Sequence, residues 1–166
     1  MKISKYDQSH ESVGLKFWQV HMLWSRKIRN SLDQLGITHT QFVVLASILE
    51  IKESQIENEV TQKMISKFSN IDVMTISSVM RLLLKKEWVI IEENTRDSRA
   101  KSVGLTEKGM KILVEAIKLV EDADDDFFDI SNNEKENFMK ILNKLSEINQ
   151  KEGVVSHSKK MQIYIM

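Results

Sequence analysis

The stretch NTRDSRAKSVGLT, residues 94–106, decides how the rest of the chain is read. It concentrates Arg96, Arg99 and Lys101 around one acid, Asp97, in a chain whose formal net charge is zero. On its N-terminal side, WVIIEE (88–93) is rich in β-forming residues and predicts a strand. On its C-terminal side, KSVGL (101–105) alternates and predicts the partner strand, so the basic stretch reads as the long tip of a hairpin.

Working backwards, residues 73–86 predict a helix capped by Asp72, with an apolar stripe of Ile76, Val79, Met80, Leu83 and Leu84. Residues 60–68 predict a shorter helix with Val60, Met64, Ile65 and Phe68 turned inward. THTQ (38–41) is a capping box that opens a helix through Phe42, Val43, Leu45, Ala46 and Leu49. Residues 12–35 place Leu15, Trp18, Met22, Ile28, Leu32 and Leu35 at helical spacing, and Gly36 ends that helix. Working forwards, Thr106 caps a long helix to about Asp129, and SNNE (131–134) is a second capping box before a last helix. The expected fold is mainly α with a small β-hairpin.

A short helix, a turn, a second helix and a hairpin follow one another in the order of a winged helix-turn-helix. In that arrangement the second helix projects into a DNA major groove. Its outer face must carry small or hydrogen-bonding residues that reach base edges, and Thr75, Ser77, Ser78 and Arg81 meet that requirement. A hairpin tip with Arg96 and Arg99 can reach phosphates or enter a minor groove. Asp97 is placed to orient Arg99 through charge-assisted hydrogen bonds. Arg81, Lys85, Lys101 and RKIR (26–29) are candidates for phosphate contact, though each is singly better read as a solvated charge.

Composition narrows the alternatives. The 166 residues include no cysteine and no proline, which excludes disulfides, thiolate metal sites and thiol redox switching. Charge is segregated: residues 115–136 carry nine acids against Lys118 and Lys135. The acidic run EDADDD (121–126) lacks the spacing and glycine of a calcium loop, so it reads as a surface turned away from DNA. His10, His21, His39 and His157 are scattered without ligand spacing, and no metal or cofactor is expected. No apolar run reaches the ~20 residues of a membrane span, and the N-terminus lacks an apolar signal core, so a cytoplasmic location is expected. No nucleophile elbow, phosphate loop or zinc-protease motif is present, which argues against an enzyme.

These residues carry a family resemblance. DSRAKSVGLTEKG (97–109) is similar to the wing signature D-x-R-x-x-x-V-x-L-T-x-x-G of the MarR family of bacterial transcription regulators. LGITHTQFVVLASI (35–48) and TISSVMRLLLKKEWV (75–89) resemble that family's second-helix segment and its recognition helix. The resemblance implies a homodimer on a pseudo-palindromic duplex site, often a repressor, often released by a small aromatic ligand. It implies that residues 1–36 and 106–150 form dimerisation helices, that 37–105 form the DNA-binding domain, and that 151–166 are a tail. Arg99 becomes the minor-groove arginine and Asp97 its orienting acid. Glu87 stands where the family usually has glycine, so a differently shaped helix end is expected there. Trp18, Met22, Trp24, Phe127, Phe128 and Phe138 could line a ligand cleft, but a core or dimer-seam role suits helical stripes better. The alternative function is a winged-helix protein-interaction module without DNA binding.

Overall fold

The computed structural model describes residues 3, 6, 11–54, 59–93 and 101–149. Six helices and one hairpin follow in the order α1 (Val13–Asp33), α2 (His39–Glu53), α3 (Gln62–Ser69), α4 (Val73–Lys85), β1 (Val89–Glu93), β2 (Lys101–Leu105), α5 (Glu107–Phe127) and α6 (Asn132–Asn149). The mainly helical winged helix-turn-helix is thus the fold observed.

Side-chain caps set most of these boundaries, because each satisfies backbone N–H groups that have no partner inside the helix. Thr38 and Gln41 form the reciprocal capping box at α2. Thr61 accepts from Met64 N–H, Asp72 from Thr75 N–H, and Thr106 from Gly109 N–H. Ser131 and Glu134 bond reciprocally at the start of α6.

The core lies where α1, α2 and α5 meet α3, α4 and the hairpin. Ile28 and Leu32 of α1, Val44, Leu45 and Ile48 of α2, Ile65 of α3, and Ile76, Met80 and Leu83 of α4 are fully buried together with Leu113 and Ala116 of α5. Two details depart from the sequence reading. Val60 is buried, but in extended backbone rather than a helix: it accepts the Val103 N–H at 2.7 Å and forms a one-residue bridge beside β2. Leu84 lies outside the core stripe, at the edge of exposure, because 76, 79, 80 and 83 already complete the inward arc of α4.

The hairpin is antiparallel, with Val89 opposite Leu105 and Glu93 opposite Lys101. Its connection to α4 corrects the expectation at Glu87. The left-handed conformation is kept, with φ of 60° on a glutamate. Trp88 N–H donates to the Leu83 carbonyl and Glu87 N–H to the Leu84 carbonyl, the paired bonds of a Schellman turn. Glu87 holds this conformation against its β-carbon, and its exposed ion pair with Lys108 adds little.

The far side of the same turn is closed by Gly109. A β-carbon there would lie 2.8 Å from the Trp88 carbonyl carbon and closer still to its oxygen. That carbonyl accepts the Thr106 N–H, so it cannot swing away without releasing the start of α5. Two substitutions should therefore shift thermal unfolding in opposite directions. Glu87→Gly is expected to stabilise by about 1 kcal/mol, or ~2–4 °C in Tm. Gly109→Ala is expected to destabilise by about 2–4 kcal/mol, by overpacking against backbone that cannot relax.

Candidate nucleic-acid interface

The residues of α4 fall on two opposed arcs. Ile76, Val79, Met80 and Leu83 are buried. Met74, Ser78, Arg81 and Lys85, spaced by four, three and four, are all exposed and form one line along the outer face. Helix α3 packs against α4 and fixes its angle.

The polar candidates on α4 differ in what their hydrogen bonds leave free. Thr75 is exposed, but its hydroxyl donates to Asp72 at 2.6 Å while its N–H donates to the same carboxylate at 2.9 Å. Those two bonds hold the Asp72 carboxyl below the ordinary carboxylate range. Ser77 is half-buried and donates to Gln62 Oε1 at 2.8 Å, which ties α4 to the first turn of α3. The Ser78 hydroxyl donates to the Met74 carbonyl at 3.0 Å. Arg81 lies back along the helix, with Nη2 donating to Ser78 Oγ at 3.3 Å and Nε to the Ser77 carbonyl at 3.4 Å. All four thus bond within α4 and its neighbour α3.

Lys101 is exposed at the start of β2. Arg96, Asp97 and Arg99 lie outside the described residues. Among the residues the sequence reading passed over, Met74 is the most exposed large apolar side chain of α4, at 77%. Its signal is the 74, 78, 81, 85 spacing, which sets it apart from the inward stripe of α4.

Two contacts brace this surface. Lys86 Nζ donates to the Gly36 carbonyl at 2.7 Å and lies 4.2 Å over the Trp88 ring, joining the end of α4 to the α1–α2 turn. Deeper in, the indole N–H of Trp24 on α1 donates to Asp124 on α5 at 2.7 Å. His39, the first residue of α2, meets the Trp24 ring edge-on at 5.1 Å, and the His21 ring lies tilted to it at 5.9 Å. The two histidines, scattered in sequence, therefore converge on one tryptophan. Burial lowers the pKa of His39, against the opposing pull of Asp124. Burial likewise raises the pKa of Asp124, against the Trp24 hydrogen bond and the charge of His39.

The acidic run of α5 is divided in role. Asp124 holds Trp24, Asp126 pairs with Lys27 of α1, and Glu121, Asp122 and Asp125 are exposed. Among the described residues no group of three His, Cys, Asp or Glu side chains is arranged to hold a metal ion. Among the same residues no helix is long and apolar enough to cross a membrane. Phe127, Phe128 and Phe138 pack in series, with centroids 5.0 and 6.1 Å apart, at the turn from α5 into α6. Trp18 is 58% exposed and Met22 is also on the surface, so neither lies in the core of the chain.

Comparison with known proteins agrees with this geometry. The family described as "ArnR1-like, winged-helix domain" matches residues 33–124. The uncharacterized HTH-type transcriptional regulator YdcH of Bacillus subtilis (strain 168) is 36% identical over 143 residues, covering 86% of this chain and 95% of its own length. A mutant MarR from E. coli, solved in complex with operator DNA, superposes with a TM-score of 0.72 at 25% identity, covering 80% of this chain and 92% of that one. BpsR from Bordetella bronchiseptica, whose DNA binding is regulated by 6-hydroxynicotinic acid, superposes with a TM-score of 0.76 at 21% identity, over 87% of this chain and 99% of that one.

The junction at His39 makes stability depend on pH. Because its folded pKa is lowered, the unfolded chain takes up the proton first below the ordinary value of 6.5. The melting temperature should accordingly fall as pH drops from 7 to 5.5, and His39→Phe should flatten that slope. Asp124 acts with the opposite sign at lower pH, since its raised carboxyl binds a proton more readily in the folded state. An equal slope in wild type and His39→Phe would remove His39 as the cause.

Proposed function

This chain belongs to the MarR family of winged helix-turn-helix transcription regulators, and from that membership we propose that it is a homodimeric repressor of a pseudo-palindromic operator. The observation that carries the dimer is apolar surface left uncovered on the terminal helices. On α1, Phe17, Trp18 and Leu23 are each more than half exposed. On α6 no residue is buried, and Ile141, Leu145 and Ile148 stand in solvent at helical spacing. Apolar surface of this extent on two helices marks a protein–protein contact. A second copy suits it, because an isologous pairing brings the same helices of each chain together.

On this reading residues 1–36 and 106–150 serve dimerisation, and residues 37–105 carry the DNA-binding lobe. Arg81 and Lys85 of α4, with Lys101 at the tip end of β2 opposite Glu93, supply cations. Arg96 and Arg99 add the wing's reach, with Asp97 orienting Arg99. Thr75, Ser77 and Ser78 stand in the recognition helix chiefly as positioning groups, since their hydroxyls already hold bonds to Asp72, Gln62 and Met74.

Release by a small aromatic ligand is part of the proposal. Its support is the regulation of BpsR by 6-hydroxynicotinic acid together with the ring series Phe17, His21, Trp24, His39 and Phe42 at the join between lobes. The family's activity is transcriptional regulation, and no catalytic role is assigned.

Two experiments test this reading. Leu145→Asp should convert the dimer to monomer in sedimentation equilibrium and abolish operator binding, whereas a monomeric wild type would refute the dimer. Gel shifts against the DNA upstream of the chain's own gene should lose ~10³–10⁵ in affinity between 50 and 200 mM salt, for about 6–10 phosphate contacts. Arg99→Ala should weaken that binding and leave the dimer intact. Unchanged affinity in this variant would take the wing out of the interface.

A further inference from the structure

We infer that Met74 reads the 5-methyl group of a thymine in each half-site, making it a base-specificity residue of the recognition helix. The inference rests on the DNA-binding reading above and concerns which chemistry that surface recognises.

Four observations lead to it. Met74 lies on the outward line of α4 with Ser78, Arg81 and Lys85, and it is the member nearest the N-terminus. Residues at that end of a recognition helix are the ones that approach base edges. Its side chain is 77% exposed, so it needs no displacement to make a contact. The hydroxyls around it are already committed: Thr75 to Asp72, Ser77 to Gln62 and Ser78 to the Met74 carbonyl. Finally, the N-terminus of α4 is a poor phosphate site, because the Asp72 carboxylate caps it and carries negative charge.

Together these separate the helix into two functions. The cations Arg81 and Lys85 occupy its C-terminal half, where phosphate contacts can form. The N-terminal end offers an unbranched apolar side chain and a carboxylate, which disfavour phosphate. The major groove presents one apolar feature that distinguishes a base pair, the thymine methyl. Methionine, with its flexible thioether, can adapt to it.

The test begins with selection of a tight-binding duplex from a random library by the full chain. Each thymine of that duplex is then replaced singly by deoxyuridine, which deletes one methyl group and no hydrogen-bonding atom. For wild type, one position per half-site should weaken binding about fourfold, the equivalent of one buried methyl. For Met74→Ala, thymine and uracil at that position should bind equally, with helix content unchanged by circular dichroism. The inference is overturned if no uracil position weakens wild-type binding, or if the same penalty persists in Met74→Ala. Enrichment of no specific duplex at all would instead overturn the DNA-binding reading, and this inference with it.

Discussion

Residue 109 has room for a hydrogen and nothing larger, and the placement of the recognition helix depends on that contact. The Trp88 carbonyl faces Gly109 and accepts the Thr106 N–H, while the Thr106 hydroxyl donates to the Glu87 carbonyl. Three short interactions therefore bind the end of α4, the first strand of the wing and the first turn of α5 into one unit. The left-handed step at Glu87 supplies the change of direction, and Trp88 is then carried under Lys86, which reaches back to Gly36. A long helix and a recognition helix joined this tightly cannot change their relative angle by bending between them. Reorientation must come from elsewhere in the molecule.

The charge pattern follows from the same geometry. A net charge of zero would give weak attraction to a polyanion if the charges were mixed evenly. Instead the acids gather on α5, where Asp126 neutralises Lys27 and Asp124 is spent on an indole. The cations Arg81 and Lys85 remain on the outer face of α4, and Arg96 and Arg99 belong to the segment joining the strands. Segregation thus substitutes for a basic composition. It also explains why α4 itself needs few cations: polar side chains there stabilise the helix-turn-helix internally, through Asp72 with Thr75 and Gln62 with Ser77.

Much of this was legible in the sequence because the signals are local. Caps at Thr38, Asp72, Thr106 and Ser131 bond to backbone three residues away, so the residue type and its spacing are enough to find them. The wing was legible through its β-formers and the motif ending in Gly109. What escaped depends on distant partners. Val60 looks helical beside Met64 and Ile65, yet its pairing is decided by Val103. Glu87 looked unsuited to a left-handed step, but the Schellman bonds and the tight Gly109 contact impose that step on the residue. An apolar stripe on α1 reads identically whether it meets the chain's own core, as at Ile28, or solvent, as at Trp18. The hydroxyl of Ser77 looked free because its partner, Gln62, lies 15 residues away in the sequence.

On the proposed release by a ligand, the junction at Trp24 is where the DNA-binding unit would be displaced. Trp24 spans 100 residues to reach Asp124, in a setting where the carboxylate is half-desolvated and its charge is already disfavoured. Breaking that bond leaves a partly buried acceptor without a partner, which costs more than the bond contributes when formed. The indole, the carboxylate and the imidazole of His39 therefore tend to move as a group. His39 is the first residue of α2, so displacement of the group is transmitted directly to the helix against which α3 and α4 pack. Because α4 and α5 are locked together at Gly109, such a displacement shifts the recognition helix as a body and leaves its internal hydrogen bonds intact. On the proposed dimer, two bodies moved in this way change the separation of their recognition helices, and that separation must match the spacing of two half-sites on the duplex.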